Sequence, residues 1–257
     1  MQLYKEKTNR LGVAHCHLIG TASLRHIDNL EEIQTQIASQ TGLGLIILDG
    51  TMEAYCDAIA NSQYRNCDRP VLIDIGGASV EICDLSKQRR DEMNFLDFGA
   101  ITLNQRFVSG MQPDKDEAKK IKKYLRKQLE TLPFPASTSF NTAILVGATN
   151  KALYEFHQDL FCSTEVGNAI QRFSTKELKH LATYLIEAPD RSYQILKHAP
   201  ERIHILAVSA IILKEVLRRL DVEDIIVSDA GVKEGYLKLL LSMTQQTGTS
   251  ISQPKGA

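Results

Sequence analysis

Tryptophan is absent from the 257 residues, and no apolar run approaches the roughly 20 residues that a membrane-spanning helix requires. The start, MQLYKEKTNR, has no apolar core of the kind that makes a signal peptide. A membrane is therefore not an expected partner, and the cytoplasm is the expected location. The five cysteines, Cys16, Cys56, Cys67, Cys83 and Cys162, are odd in number and never spaced as CxxC, which argues against a disulfide framework and a zinc site. The seven histidines make no HExxH spacing, so a histidine metal site is not expected either. Charge of one sign is lacking too: 30 Lys and Arg stand against 31 Asp and Glu, and the net charge of -1 provides no global field for duplex nucleic acid. What remains is an ordinary globular composition, 43% hydrophobic, enough to fill the core of one or two domains.

The densest chemistry lies in residues 71–85, VLIDIGGASVEICDL. Val71, Leu72 and Ile73 are apolar on successive positions, as in a strand covered on both faces inside an α/β sheet. Gly76 and Gly77 then permit backbone angles that a side chain forbids, so consecutive N–H groups can turn inward and cradle an anion such as phosphate. Asp74 stands at the entry to this turn and Glu81 just beyond its exit. Two carboxylates flanking an anion cradle suit Mg²⁺, which takes one or two carboxylates together with water and phosphate oxygens. Spacing alone leaves open a plain hairpin whose glycines only turn the chain.

Along the rest of the chain, residues 1–9 read as the end of a polar helix and 11–18 as a short strand. The loop 20–29, GTASLRHIDN, offers Thr21, Ser23 and Arg25 to a phosphate, or equally forms a helix cap with a surface arginine. Asn29 is placed to cap a helix over 30–40 that Gly42 ends. A strand over 43–48 passes through Asp49 and Gly50 into a helix over 51–60, with Glu53 in its first turn. Residues 61–69 read as a connector, 92–98 as a third strand after the hairpin, and 100–108 as a helix. Pro113 and Asp114 open the charged helix KDEAKKIKKYLRKQLETL, whose Ala118, Ile121, Leu125 and Leu129 recur at helical spacing. Its lysines form either a solvated face or a surface for a polyanion. A strand over 142–146 ends in Gly147, Ala148 and Thr149, a strand-to-helix junction where backbone donors and a hydroxyl can meet phosphate. Helices over 174–187 and 200–220 follow, then a strand over 224–228, a helix over 232–243 and a tail over 244–257 expected to be disordered.

These segments, in this order, resemble the exopolyphosphatase and guanosine pentaphosphate phosphatase family, a branch of the actin, sugar kinase and heat-shock ATPase superfamily. The family's Thr-Ser-Ala-Leu-Arg-x-x-x-Asn stretch is similar to Thr21 through Asn29, and its Gly-x-x-Glu-Ala stretch to Gly50 through Ala54. Its Asp-Ile-Gly-Gly-Gly-Ser-Thr-Glu hairpin resembles Asp74 through Glu81, with Ala78 in place of the third glycine and Val80 in place of threonine. The Gly-Thr loop is similar to Gly147-Ala148-Thr149, the arginine before the long apolar helix to Arg202, and the Ser-Asp-x-Gly-x-Arg-Glu-Gly ending to Ser228 through Gly235.

The resemblance implies an α/β fold of the ribonuclease-H-like type in two domains, 1–67 and 68–243, the last helix packing on the first domain. It implies Mg²⁺-assisted hydrolysis of the terminal phosphoanhydride bond of polyphosphate or guanosine pentaphosphate. Glu53 would act on the attacking water; Arg25, Gly76, Gly77, Ser79, Gly147, Thr149 and Arg202 would bind phosphate; Asp74 and Glu81 would hold the metal. The family's first phosphate hairpin, Asp-x-Gly-Ser-Asn-Ser, has no counterpart here, so the N-terminal domain is expected to be incomplete. That expectation carries two others: self-association through an uncovered sheet edge, and low activity, with a phosphate- or nucleotide-binding regulator as the alternative function.

Overall fold

The computed structural model describes residues 2–247 apart from 26, 88, 135–138 and 163–170. Its centre is a six-stranded mixed sheet of β3 (Pro70–Ile75), β4 (Val80–Asp84), β5 (Phe95–Leu96), β6 (Thr142–Val146), β7 (Gln171–Ser174) and β8 (Asp224–Val227). The spatial order is β5-β4-β3-β6-β8-β7. β3, β4 and β5 form an antiparallel meander, while β6 and β8 run parallel to β3. A separate parallel pair joins β1 (Leu18–Gly20) to β2 (Leu45–Ile47). This is the α/β architecture expected of a ribonuclease-H-like chain.

Strand alternation decides where each helix packs, because successive side chains point to opposite faces. Val71, Ile73 and Ile75 of β3 join one cluster with Ile121 and Leu125 of α6 (Lys115–Leu129) and with α10 (Leu206–Leu220). Leu72 points the other way, with Cys83, Ile144 and Ile226, onto Ala54 and Ala58 of α4 (Gly50–Ala60). α10 is buried nearly all round, which is why its sequence lacks a polar stripe. Glu215 in its second half is almost fully buried and is held by Arg126 and Arg218 at 2.9 and 3.0 Å.

Several boundaries differ from the sequence reading, each for a local reason. No strand covers 11–18: α1 (Gln2–Arg10) is closed by Gly12 at φ +64, the Val13 N–H returning to the Thr8 carbonyl, so Leu11 and Val13 stay exposed. Residues 22–25 coil into the short helix α2 (Ala22–Arg25) rather than an open loop. Asn29 precedes α3 (Leu30–Thr41) without a side-chain capping bond, whereas Gly42 ends it at φ +71. The third strand shrinks to two residues after a 3-10 turn at Arg90–Glu92. Pro200 starts a 3-10 turn, Pro200–Arg202, which separates residue 202 from α10. The edge strand β7 and the helix α9 (Arg191–His198) went unread because both are short and only one residue of each is buried. α11 (Val232–Thr247) reaches four residues into the stretch expected to be disordered, and 248–257 lie outside the described residues.

α11 crosses α4 at Gly235, where an added Cβ would overlap the Cys56 backbone. Backbone cannot retreat as a flexible side chain can, so Gly235→Ala should push the two helices apart and cost about 1–3 kcal/mol, the range for overpacking. The expected readout is a lower urea midpoint at unchanged slope. An unchanged midpoint would show that the crossing is not held at this point.

Candidate functional site

The antiparallel register pairs Asp74 of β3 with Glu81 of β4, so both carboxylates leave the same face of the sheet, the face that α4 covers. Between them the turn is locked onto α5 (Ala100–Phe107): Ala100 N–H donates to the Gly76 carbonyl, and Ile101 N–H to the Gly77 carbonyl, each at 2.9 Å. The carbonyls of the turn are thus consumed by the helix. The N–H groups of Gly77 and Ala78 make no backbone hydrogen bond among the described residues. Neither Gly76 nor Gly77 has a positive φ, which corrects the reading that these glycines supply forbidden angles. The close approach lies at Gly99 instead, where an added Cβ would overlap the backbone of Gly76 and Gly77, whereas one at Gly77 would meet the movable tip of the exposed Ile101 side chain. Ala78 is likewise outside the left-handed region and carries no strain.

Gly147 is the position where conformation and space both demand glycine. It has φ +85, and a Cβ there would overlap the Asp74 carboxylate. It opens α7 (Gly147–Phe161), whose N-cap Val146 makes no side-chain capping bond, so the first-turn N–H groups face outward beside Asp74. Buried Asn150, one turn on, donates to the Val146 carbonyl at 2.8 Å and to the Ile73 carbonyl at 3.1 Å. One amide therefore clamps the ends of β3 and β6 where Asp74 and Gly147 sit.

On α4, Asp49 caps the helix by accepting from the Met52 N–H at 2.7 Å, which fixes Glu53 in the first turn. Glu53 is 8% exposed and pairs with Arg25, which reaches it from α2. Burial raises its pKa, and the Arg25 guanidinium partly opposes the rise. Asp57 lies four residues further, on the same helical face, wholly buried, with neither carboxylate oxygen hydrogen-bonded. Burial, then the charges of Asp74, Glu81, Glu53 and Glu234, push Asp57 well above the usual carboxylate range. Glu81 is pushed up by burial and by Asp74, although the Ser79 hydroxyl donates to it at 2.6 Å. Asp74, half-buried, rises to about 7 through desolvation and the nearby Glu53 charge.

Glu53, Asp74 and Gly147 line one cavity of about 400 Å³, with Ser228, Asp229 and Gly231 on its far wall. The other predicted residues sit around these three. Arg25 engages Glu53, Gly76 and Gly77 form the turn after Asp74, and Ser79 serves Glu81. Thr149 and Arg202 meet each other, the guanidinium donating to the hydroxyl at 3.2 Å. Sequence reasoning did not single out Asp57, Asn150 or Lys151. Asp57 was findable, since an acid at i+4 from Glu53 shares its face. Lys151 was not, because its partner across the cavity, Asp229, is 78 residues away.

The unpartnered Asp57 makes a prediction about pH. Its folded pKa is raised, so the native chain keeps a proton that the unfolded chain gives up above about pH 4, and stability must fall as pH rises through that window. Asp57→Asn cannot ionise. In metal-free buffer its melting temperature should exceed the parent's at about pH 8 and converge with it towards about pH 4. Melting curves that stay parallel across pH would mean that Asp57 carries no such penalty.

The profile of the Ppx/GppA phosphatase family matches residues 1–244. Exopolyphosphatase 1 of Mycobacterium leprae is 19% identical over 248 residues, covering 94% of this chain and 72% of that protein. An exopolyphosphatase structure from Cytophaga hutchinsonii superposes with a TM-score of 0.79 at 19% identity, over 94% of this chain and 80% of that one. The Aquifex aeolicus member of the family superposes with a TM-score of 0.75 at 19% identity, over 97% and 80%. At such identities the superpositions establish a shared actin-like fold, and the profile match over nearly the whole chain establishes the rest: this protein belongs to the Ppx/GppA phosphatase family.

Proposed function

We propose that the chain hydrolyses the terminal phosphoanhydride bond of inorganic polyphosphate or guanosine pentaphosphate. The observation that carries this reading is the meeting of Glu53 and Asp74 in one cavity whose wall is the uncapped N-terminus of α7. In the reaction a water attacks the terminal phosphorus in line, the bond to the bridging oxygen breaks, and inorganic phosphate leaves with a chain shortened by one unit. Glu53 takes the water's proton, and its raised pKa makes it a better base than an exposed glutamate. Arg25 holds that carboxylate in place. The N–H groups of Gly77, Ala78 and the first turn of α7 receive the phosphate oxygens, and Asn150 keeps the two loops at a fixed separation.

Among the described residues no three His, Cys, Asp or Glu converge as a closed metal cage. Mg²⁺ does not need one. Asp74 and Glu81, two hard anionic donors paired across the strands, fit its habit of taking one or two carboxylates and completing its shell with water and phosphate. When bound there, Mg²⁺ would offset charge on the phosphate oxygens.

Glu53→Gln keeps the shape and removes the base, so phosphate release should fall by about 10² or more while substrate binding persists. Unchanged turnover would remove Glu53 from the mechanism. A parent chain that binds polyphosphate without releasing phosphate would favour the regulator instead. Asp74→Asn and Glu81→Gln should each shift the Mg²⁺ dependence of activity to higher concentration. Titrations that superimpose on the parent's would assign both carboxylates to the fold alone.

A further inference from the structure

A concavity larger than the cavity at Glu53 lies elsewhere, a groove of about 760 Å³ along the outer face of α6, bordered by the end of α5. Seven of its ten lining residues are Lys or Arg and one is acidic. Residues 118–129 contain six basic residues and no acidic one, so like charges stack at i, i+3 and i+4, an arrangement that weakens an isolated helix. Internal partners relieve little of this. Lys119 pairs with Asp116 and Arg126 with Glu215, whereas Lys120, Lys122, Lys123 and Lys127 have no carboxylate within ion-pair distance among the described residues. The field extends to α10, where burial and then the charge of Lys122 hold Lys214 below its ordinary pKa.

The aromatic residues of the groove narrow the identity of its ligand. The Arg106 guanidinium lies 4.6 Å from the Tyr124 ring centre and 5.3 Å from that of Phe107, so the rings are used to hold an arginine. Single-stranded nucleic acid needs open ring faces on which bases stack. A base-free polyanion needs only the cations. The groove is also mechanically tied to the cleft: α5 starts on the carbonyls of the Gly76-Gly77 turn, and Arg106 comes six residues later, about 9 Å along the helix axis.

We propose that this groove is a second binding site for an inorganic polyphosphate chain, separate from the cavity at Glu53, and that it retains long chains on the protein. The choice of ligand rests on the polyphosphate reading of the cleft; the binding test does not. Lys120, Lys122, Lys123 and Lys127 would all be changed to Gln, on a face that leaves the buried residues Ala118, Ile121, Leu125 and Leu129 untouched. In the Glu53→Gln background, affinity for fluorescently labelled long-chain polyphosphate should drop about tenfold or more, with a shallower dependence on salt because fewer counterions are displaced. In the otherwise unaltered protein, turnover of tripolyphosphate should be unchanged by the four substitutions, while KM for long chains rises. Circular dichroism and melting temperature confirm that the variant is folded.

Equal long-chain affinity in parent and variant overturns the proposal. So does a single-stranded RNA oligonucleotide that binds the parent more tightly than polyphosphate and is lost in the variant. If the parent hydrolyses nothing yet binds long polyphosphate through these four lysines, the groove stands and the reading of the cleft falls. If hydrolysis proceeds and the lysines are without effect, the reverse holds.

Discussion

Three buried carboxylates, from Glu53, Asp57 and Glu81, and the half-buried Asp74 gather around the junction of α4 with β3 and β4, and among the described residues Arg25 is the one cation paired with them. Burial of like charge is costly: desolvation shifts all four upward, and neighbouring carboxylates add to the rise of Asp57, Asp74 and Glu81, while Arg25 opposes that of Glu53. Such a cluster survives only where the surrounding structure is strong enough to impose it. Here the support is the six-stranded sheet, whose opposite face is closed by α10 and α6 and whose central strands are apolar on both sides. The sheet spends stability on one face to assemble a site on the other.

The parts that bring the cluster together act over very short distances. Gly147 lets α7 begin against the Asp74 carboxylate, Gly99 lets the hairpin settle on α5, and Gly235 lets α11 touch the backbone of α4. Asn150 joins the ends of β3 and β6 with a single side chain. These contacts make the cavity a property of three helix starts and one turn, all converging where the parallel strands end, the place where open α/β sheets bind their ligands.

The two surfaces proposed to bind anions would work by different physics. In the cavity the proposed donors are backbone N–H groups beside buried acids, so recognition there would be geometric and short-ranged. Along α6 the donors are flexible, exposed ammonium groups, whose attraction reaches further and weakens with salt. Net charge across the whole chain is -1, so the basic helix is a local field and not part of a general one.

Local pattern determined much of this on its own. The apolar run before Asp74, the paired glycines, the Asp49 cap that places Glu53, the left-handed Gly42 and the all-round apolar α10 each follow from neighbours a few residues away. Tertiary structure decided what those residues touch. Arg25 binds Glu53 across 28 residues, Asn150 reaches Ile73 across 77, and Lys151 meets Asp229 across 78, separations at which periodicity carries no information. The reason for a glycine was equally hidden: Gly99 is required by the backbone of Gly76 and Gly77 laid against it, and Gly147 by both its φ and the carboxylate of Asp74, while both look alike as turn residues in one dimension. Asp57 lies between these cases. Its spacing from Glu53 is legible in the chain, but its lack of any partner exists only once α4 is laid on the sheet and α11 is laid on α4.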